Sequence, residues 1–128
     1  MSDKDLRSLF LGLNFIGSDK SGPVRDADVT IGILTKDKRR NISIAIRFKD
    51  ALAPQVKVAI GENPDRLYLL PVDKGGFKIS ENMPGANRIR VSVPQYRLDI
   101  GPFEGVYKKL HHIEKADIYY INKEERYE

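Results

Sequence analysis

The sequence predicts a mainly β protein with short helices, on three observations. From Val29 onward apolar residues recur with a period of two, the pattern of strands that bury one face. Gly, Asn, Asp and Pro gather between these runs, where hairpins turn. The middle and the end of the chain also repeat each other: Ile42, Ile44 and Ile46 return 47 positions later as Ile89, Val91 and Val93. A repeated unit of strand, short helical turn and hairpin constrains the fold more than either copy alone. Two explanations of the repetition stand: a duplication, or hairpins that look alike because antiparallel chains alternate alike.

The elements follow in order. Leu6, Leu9, Phe10 and Leu13 recur at spacings of three and four behind Ser2 and Asp3 as caps, which predicts a short N-terminal amphipathic helix, weakened by Gly12. Residues 17–28 have the Gly, Ser, Pro and Asp content of a loop, so 1–28 read as arm and linker and 29–128 as a single β domain. Val29, Ile31 and Ile33 alternate, as do Ile42, Ile44, Ile46 and Phe48, with Thr35 to Arg40 as a charged hairpin loop between them. Residues 47–53 offer one helical turn ended by Pro54, too short to hold without packing. Val56, Val58 and Ile60 open a hairpin that turns at Gly61 to Asp65 and returns through Leu67 to Val72.

Lys74, Gly75 and Gly76 read as the hinge between copies; they lack the remaining spacing of a phosphate-binding loop and precede a strand rather than a helix. Phe77 to Ile79 opens the second copy, 81–87 is its loop, and Ile89 to Pro94 leads through Gln95 to Leu98. Val106 and Tyr107 then correspond to Val56, and Ile118 to Ile121 correspond to Leu67 onward, around a Glu114/Lys115 turn. The repeats span about 29–73 and 77–121, with small insertions in the turns.

A chain of 128 residues buries enough apolar surface to fold without metal or disulfide staples. It has no cysteine, which excludes thiol catalysis, cysteine-ligated zinc and disulfides and fits a reducing compartment. No apolar run approaches the roughly 20 residues that cross a bilayer, and Leu9 to Phe15 follows Asp3 and Asp5 rather than a cationic start. These features predict a soluble cytoplasmic protein without a cofactor. The net charge of +4 permits an acidic partner without demanding one, and its distribution matters more. Positive charges gather at turns, whereas Asn122 to Glu128 is net acidic.

Catalysis finds little support. Asp26/Asp28 and Glu124/Glu125 pair carboxylates in a loop and a tail, where nothing desolvates them or separates their pKa values. Both histidines lie together, away from any serine in a nucleophile-elbow setting. Lys108, Lys109, His111 and His112 form a basic cluster, but adjacent histidines on a strand face opposite ways, so a polar strand edge is expected rather than a metal site. Tyr68, Tyr107, Tyr119, Tyr120 and Tyr127 are candidates for stacking on bases; the plainer reading makes them sheet residues with one polar end.

Gly32 to Asn41, followed by Ile42 to Leu52, resembles the swapped-hairpin (AbrB-like, SpoVT-type) family of DNA-binding domains: a strand, a charged loop, an apolar strand ending in Pro, a short helix ending near Leu-Gly, then a hairpin. Asn87 to Pro94, then Leu98 and Gly101, carry the better-matched centre; in the first copy Arg47 stands where the pattern has Pro, and Ala53 where it has Gly. The resemblance covers Val29 to Ile121. It implies a small barrel in which a tandem copy supplies both of the interlaced halves, and duplex DNA as the partner. It also implies that loop cations face the DNA, which here are Lys36, Lys38, Arg39 and Arg40 in copy one and Arg88 and Arg90 in copy two. Lysine and arginine there reach phosphates, and arginine also reads guanine. The alternative function is a protein-binding module, such as an inhibitor, an antitoxin-like element or an assembly subunit. It would use a strand edge or the arm carrying Leu6, Leu9, Phe10 and Leu13 to capture a partner or self-associate.

Overall fold

Alternating burial along the chain builds a ten-stranded antiparallel sheet in the computed structural model, which describes residues 27–81 and 87–127. The expected N-terminal helix, with Leu6, Leu9, Phe10 and Leu13, lies outside these residues, as does most of the 81–87 loop. β1 (Val29–Ile31) and β2 (Arg39–Ala45) form the first hairpin. A 3-10 turn (Ile46–Phe48) runs into α1 (Lys49–Leu52), whose Leu52 is fully buried. Ala53 is extended and Pro54 stops the helix, so β3 (Gln55–Gly61) and β4 (Arg66–Val72) follow as the second hairpin. β5 (Phe77–Glu81) and β6 (Arg88–Pro94) come next, then a 3-10 turn (Gly101–Phe103) and β7 (Gly105–Tyr107). β8 (His111–Ile113), β9 (Ile118–Asn122), a last 3-10 turn (Lys123–Glu125) and β10 (Arg126–Tyr127) complete the order.

Across the sheet the strands run β10-β7-β1-β2-β6-β5-β3-β4-β9-β8. β5 joins the two halves: Ile79, Ser80 and Glu81 pair with β6, and Phe77 and Lys78 pair with β3. Ile42, Ile44, Ile89 and Val91 from one half and Val56, Leu67, Leu69 and Ile121 from the other belong to one core. The sheet therefore encloses its core, but it does not close into the expected barrel. Its end strands are β10, of two residues, and β8, which pairs only with β9, so among the described residues no ladder joins the two edges.

β2 and β6 pair over their full length, from Arg39↔Pro94 to Ala45↔Arg88, with Ser43↔Arg90 at the centre. Ile42 opposes Val91 and Ile44 opposes Ile89, all fully buried.

Three expectations change. β1 ends at Ile31, and Ile33 is 73% exposed, lying between the Gly32 amide bond to Asn41 O and the Thr35 amide bond to Arg39 O that closes the turn. Ile46 lies in the 3-10 turn rather than in a strand. β7 and β9 do not form a hairpin with each other: β7 pairs with β1 and β10, while β9 pairs with β4 and β8. Tyr119 and Ile121 are buried opposite Leu69 and Leu67, which draws β9 to the other half of the sheet.

Two outcomes follow from this packing. Ile44→Ala should cost about 2–5 kcal/mol in a urea melt through the cavity it leaves, whereas Ile33→Ala should stay within about 0.5 kcal/mol. The buried Tyr107 hydroxyl donates to Phe103 O at 2.8 Å, and burial pushes its pKa up to about 12. The unfolded phenol titrates near 10, so the stability Tyr107 contributes is complete below about pH 10 and falls as pH rises towards 12. Tyr107→Phe should flatten that alkaline loss; an unchanged pH profile would count against it.

Candidate nucleic-acid interface

The alternation that turns Ile42, Ile44, Ile89 and Val91 inward turns Arg39, Asn41, Ser43, Arg90 and Ser92 outward. Thr30 opposes Ser43, Ser43 opposes Arg90, and Arg90 opposes Ser80, so one polar row crosses β1, β2, β6 and β5. Arg39 lies near the same row, with Nη1 at 3.5 Å from Ser92 Oγ.

Lys36 and Lys38 occupy the turn that feeds this face. The Lys38 amide donates to Thr35 O at 3.0 Å, the Thr35 amide to Arg39 O at 2.8 Å, and the Arg39 amide to Thr35 Oγ1 at 3.2 Å. Lys38 itself takes a left-handed conformation, φ 61°. Its carbonyl accepts from the Gln95 amide at 2.9 Å, which seats the turn against the Gln95 to Leu98 segment. Tyr96, 84% exposed, and Arg97 belong to that segment, and the Arg97 side chain lies on its far side, with Lys57 and Phe77. The side chains of Lys36, Lys38, Arg90 and Arg97 have no hydrogen-bond or ion-pair partner among the described residues; Asp37 is the acid within the turn.

Arg40 and Arg88, expected at the same interface, are held by the protein. Arg40 Nη1 donates to Glu104 Oε1 at 2.6 Å and to Gly32 O at 3.0 Å, while its Nε is buried without a partner among the described residues. Arg88 donates from Nε to Ser43 Oγ at 2.6 Å, from Nη1 to Ala27 O at 2.8 Å, and from Nη2 to Ser43 O at 3.0 Å and Asp28 O at 3.3 Å. Burial lowers the Arg88 pKa, and the Asp28 carboxylate opposes that shift.

Asp28 departs from its expected place in an open loop, being 3% exposed. Its Oδ2 accepts from the Leu110 amide at 2.8 Å and its Oδ1 from Arg47. Both oxygens thus have structural partners, binding the start of β1 to the segment after β7.

The five tyrosines singled out in the sequence are poor stacking platforms. Tyr107 and Tyr119 are buried. Tyr68 and Tyr120 pack on each other at 5.9 Å with Arg66 over Tyr120, and Tyr127 carries Lys108 at 5.0 Å. Tyr96 was legible only as a tyrosine in a turn, outside the strand alternation that explains the others. His111 and His112 face opposite ways, as expected. His111 stacks on Tyr120 at 4.9 Å and bonds Glu125 at 2.6 Å; His112 stacks on Tyr119 at 4.2 Å and bonds Asp117 at 3.0 Å. Hydrogen bonds from Asn122 and His111 hold the Glu125 carboxyl below its ordinary pKa.

The other half of the sheet has a different outer surface. Ala59, Tyr68, Leu70 and Ile118 line an apolar depression of about 510 Å³ beside Lys57. Among the described residues there is no group of three or more metal-ligating side chains and no helix long and apolar enough to cross a membrane.

Comparisons with family models, with curated proteins and with solved structures find no match for this chain.

The two kinds of arginine and lysine should separate in stability measurements. Arg88→Met removes the side-chain hydrogen bonds to Ser43 Oγ, Ala27 O, Ser43 O and Asp28 O and should cost about 1–3 kcal/mol, whereas Lys36→Ala should stay within about 0.5 kcal/mol. Equal urea midpoints for the two variants would contradict this division.

Proposed function

We propose that this chain is a cytoplasmic duplex DNA-binding protein of the swapped-hairpin type, a transcriptional regulator or accessory factor that grips phosphates with Lys36, Lys38, Arg39 and Arg90. The observation that carries the proposal is the basic turn, which has no competing ion pair among the described residues and leads onto an outward row of Arg, Asn, Ser and Thr. Backbone phosphates need cations that are not already neutralised, and Ser, Thr and Asn add hydrogen bonds to phosphate or base edges. Arg40 and Arg88 brace the two ends of the β2–β6 pair.

The strand order lends support to reading the chain as two fused units. Outward from the β2–β6 seam, β1 corresponds to β5 and β7 to β3, as the repeated sequence has them. The first hairpin then pairs with a strand of the second unit, and β5 with a strand of the first. The central pair, Ser43↔Arg90, joins positions 47 apart, the same offset as the repeated apolar triplets. The correspondence ends there: β9, the sequence counterpart of β4, pairs with β4 itself, and β8 and β10 have no counterpart. Where copy one has Lys36 and Lys38, copy two has Met83 and Gly85, so an asymmetric footprint is expected rather than a palindromic one. The apolar depression over β3, β4 and β9 favours a second reading, a protein-binding module.

Fluorescence anisotropy of a mixed-sequence duplex, titrated at several salt concentrations, tests the proposal. Phosphate contacts by these residues predict that log K falls with log salt at about −0.9 per contact. Substituting Lys36, Lys38, Arg39 and Arg90 by alanine should remove retention and leave the melting temperature almost unchanged. Binding that keeps its salt slope in that variant would overturn the assignment of the site, and no binding at low salt would turn the reading to a protein partner.

A further inference from the structure

A second recognition feature lies behind the Gln95 to Leu98 turn. An open groove of about 400 Å³ runs between β3 and this turn, lined by Lys57, Val58, Phe77, Arg97, Leu98 and the Gly75–Gly76 segment. Such a volume suits a small ligand. Val58, Phe77 and Leu98 are partly buried and packed on the core, so the apolar wall is rigid. Among the described residues the lining contains two cations and no carboxylate, and neither cation has a side-chain polar partner there.

The lip of the groove is built to stay thin. Gly75 has φ +83°, and a Cβ on Gly76 would fall 2.6 Å from Val56 O. The Gly76 amide donates to Gln55 Oε1 at 2.9 Å, which anchors the lip. A Cβ on Gly75 would lie 3.7 Å from Lys57 Cε, so the lysine stem runs along this edge.

We propose that this groove binds a small phosphomonoester with a flat apolar body, of the nucleoside 5′-monophosphate class. Lys57 supplies a compact point charge and Arg97 a planar fork of donors, a pair matched to a dianionic phosphate. The flat body lies against Phe77, Leu98 and Val58, where it leaves water without burying an unpaired charge. The ligand has two sources, a free nucleotide or the 5′-phosphorylated end of a nucleic-acid strand. The groove is distinct from the Lys36, Lys38, Arg39 and Arg90 surface, so it does not rest on the duplex reading.

Isothermal titration of the full chain with adenosine 5′-monophosphate, adenosine and inorganic phosphate tests the site. The monophosphate should bind at least tenfold more tightly than either part alone. Lys57→Gln and Arg97→Gln should each weaken it about tenfold or more, while Lys36→Ala leaves it unchanged. A competing 5′-phosphorylated single strand that displaces the nucleotide, where the 5′-hydroxyl strand does not, identifies the strand end as the source; failure of both strands to compete identifies the free nucleotide. No binding of the monophosphate at millimolar concentration, or binding that survives both substitutions, overturns the proposal. Duplex binding by the same variants separates this result from that of the basic surface.

Discussion

β2 and β6 lie side by side from Arg39↔Pro94 to Ala45↔Arg88, and the fold is arranged outward from that seam. A slip of one residue would send Arg39, Asn41 and Ser43 into the core and expose Ile42 and Ile44. Burial of Ile42, Ile44, Ile89 and Val91 therefore sets the register. Polar locks hold both ends of the pair: Arg88 bridges Ser43, Ala27 and Asp28, and Arg40 joins Gly32 to Glu104. Asp28 extends the first lock to the Leu110 amide and so ties the segment after β7 to the seam.

The same register separates structural cations from available ones. Arg40 shares the inward parity of Ile42 and Ile44 but lies at the rim, where Gly32 O and Glu104 meet it. Arg88 faces outward at the opposite end and folds over the backbone of Ser43, Ala27 and Asp28. Arg90, two residues further along β6, has a serine opposite it on each side and no ion pair among the described residues. Lys36 and Lys38 are held by the backbone of their turn rather than by their side chains. Lys36, Lys38 and Arg90 thus have charges that no described residue neutralises, whereas Arg40 and Arg88 are held by the protein.

Much of the local structure was legible because strands in this chain alternate cleanly. Val56, Leu67 and Leu69, like the seam residues, occupy the faces their period predicts, and Pro54 ends the helical turn as its missing amide requires. Pairing was legible only where strands are long. β7 has three residues, and nothing in Val106 and Tyr107 distinguishes pairing with β1 from pairing with β9. Openness of the sheet depends on the shortness of β10 and on the single pairing of β8, which the apolar pattern does not encode. Nor does charge type reveal whether an arginine is held. Arg88 and Arg90 are alternate residues of one strand, and only tertiary carbonyls distinguish them. The placement of Tyr96 and Arg97 is not encoded locally, because they lie in a turn whose neighbour Gln95 bonds the Lys38 carbonyl, distant in sequence.

The most direct test of the account is a map of backbone amide chemical-shift changes when a mixed-sequence duplex is added to the isotopically labelled chain at low salt. If the β2–β6 seam presents a phosphate-binding face, the changes should centre on Lys36, Lys38, Arg39, Arg90 and Tyr96, with Leu70, Ile113 and Ile118 still. Changes centred on the apolar face of β4, β8 and β9, or the absence of any change, would contradict it.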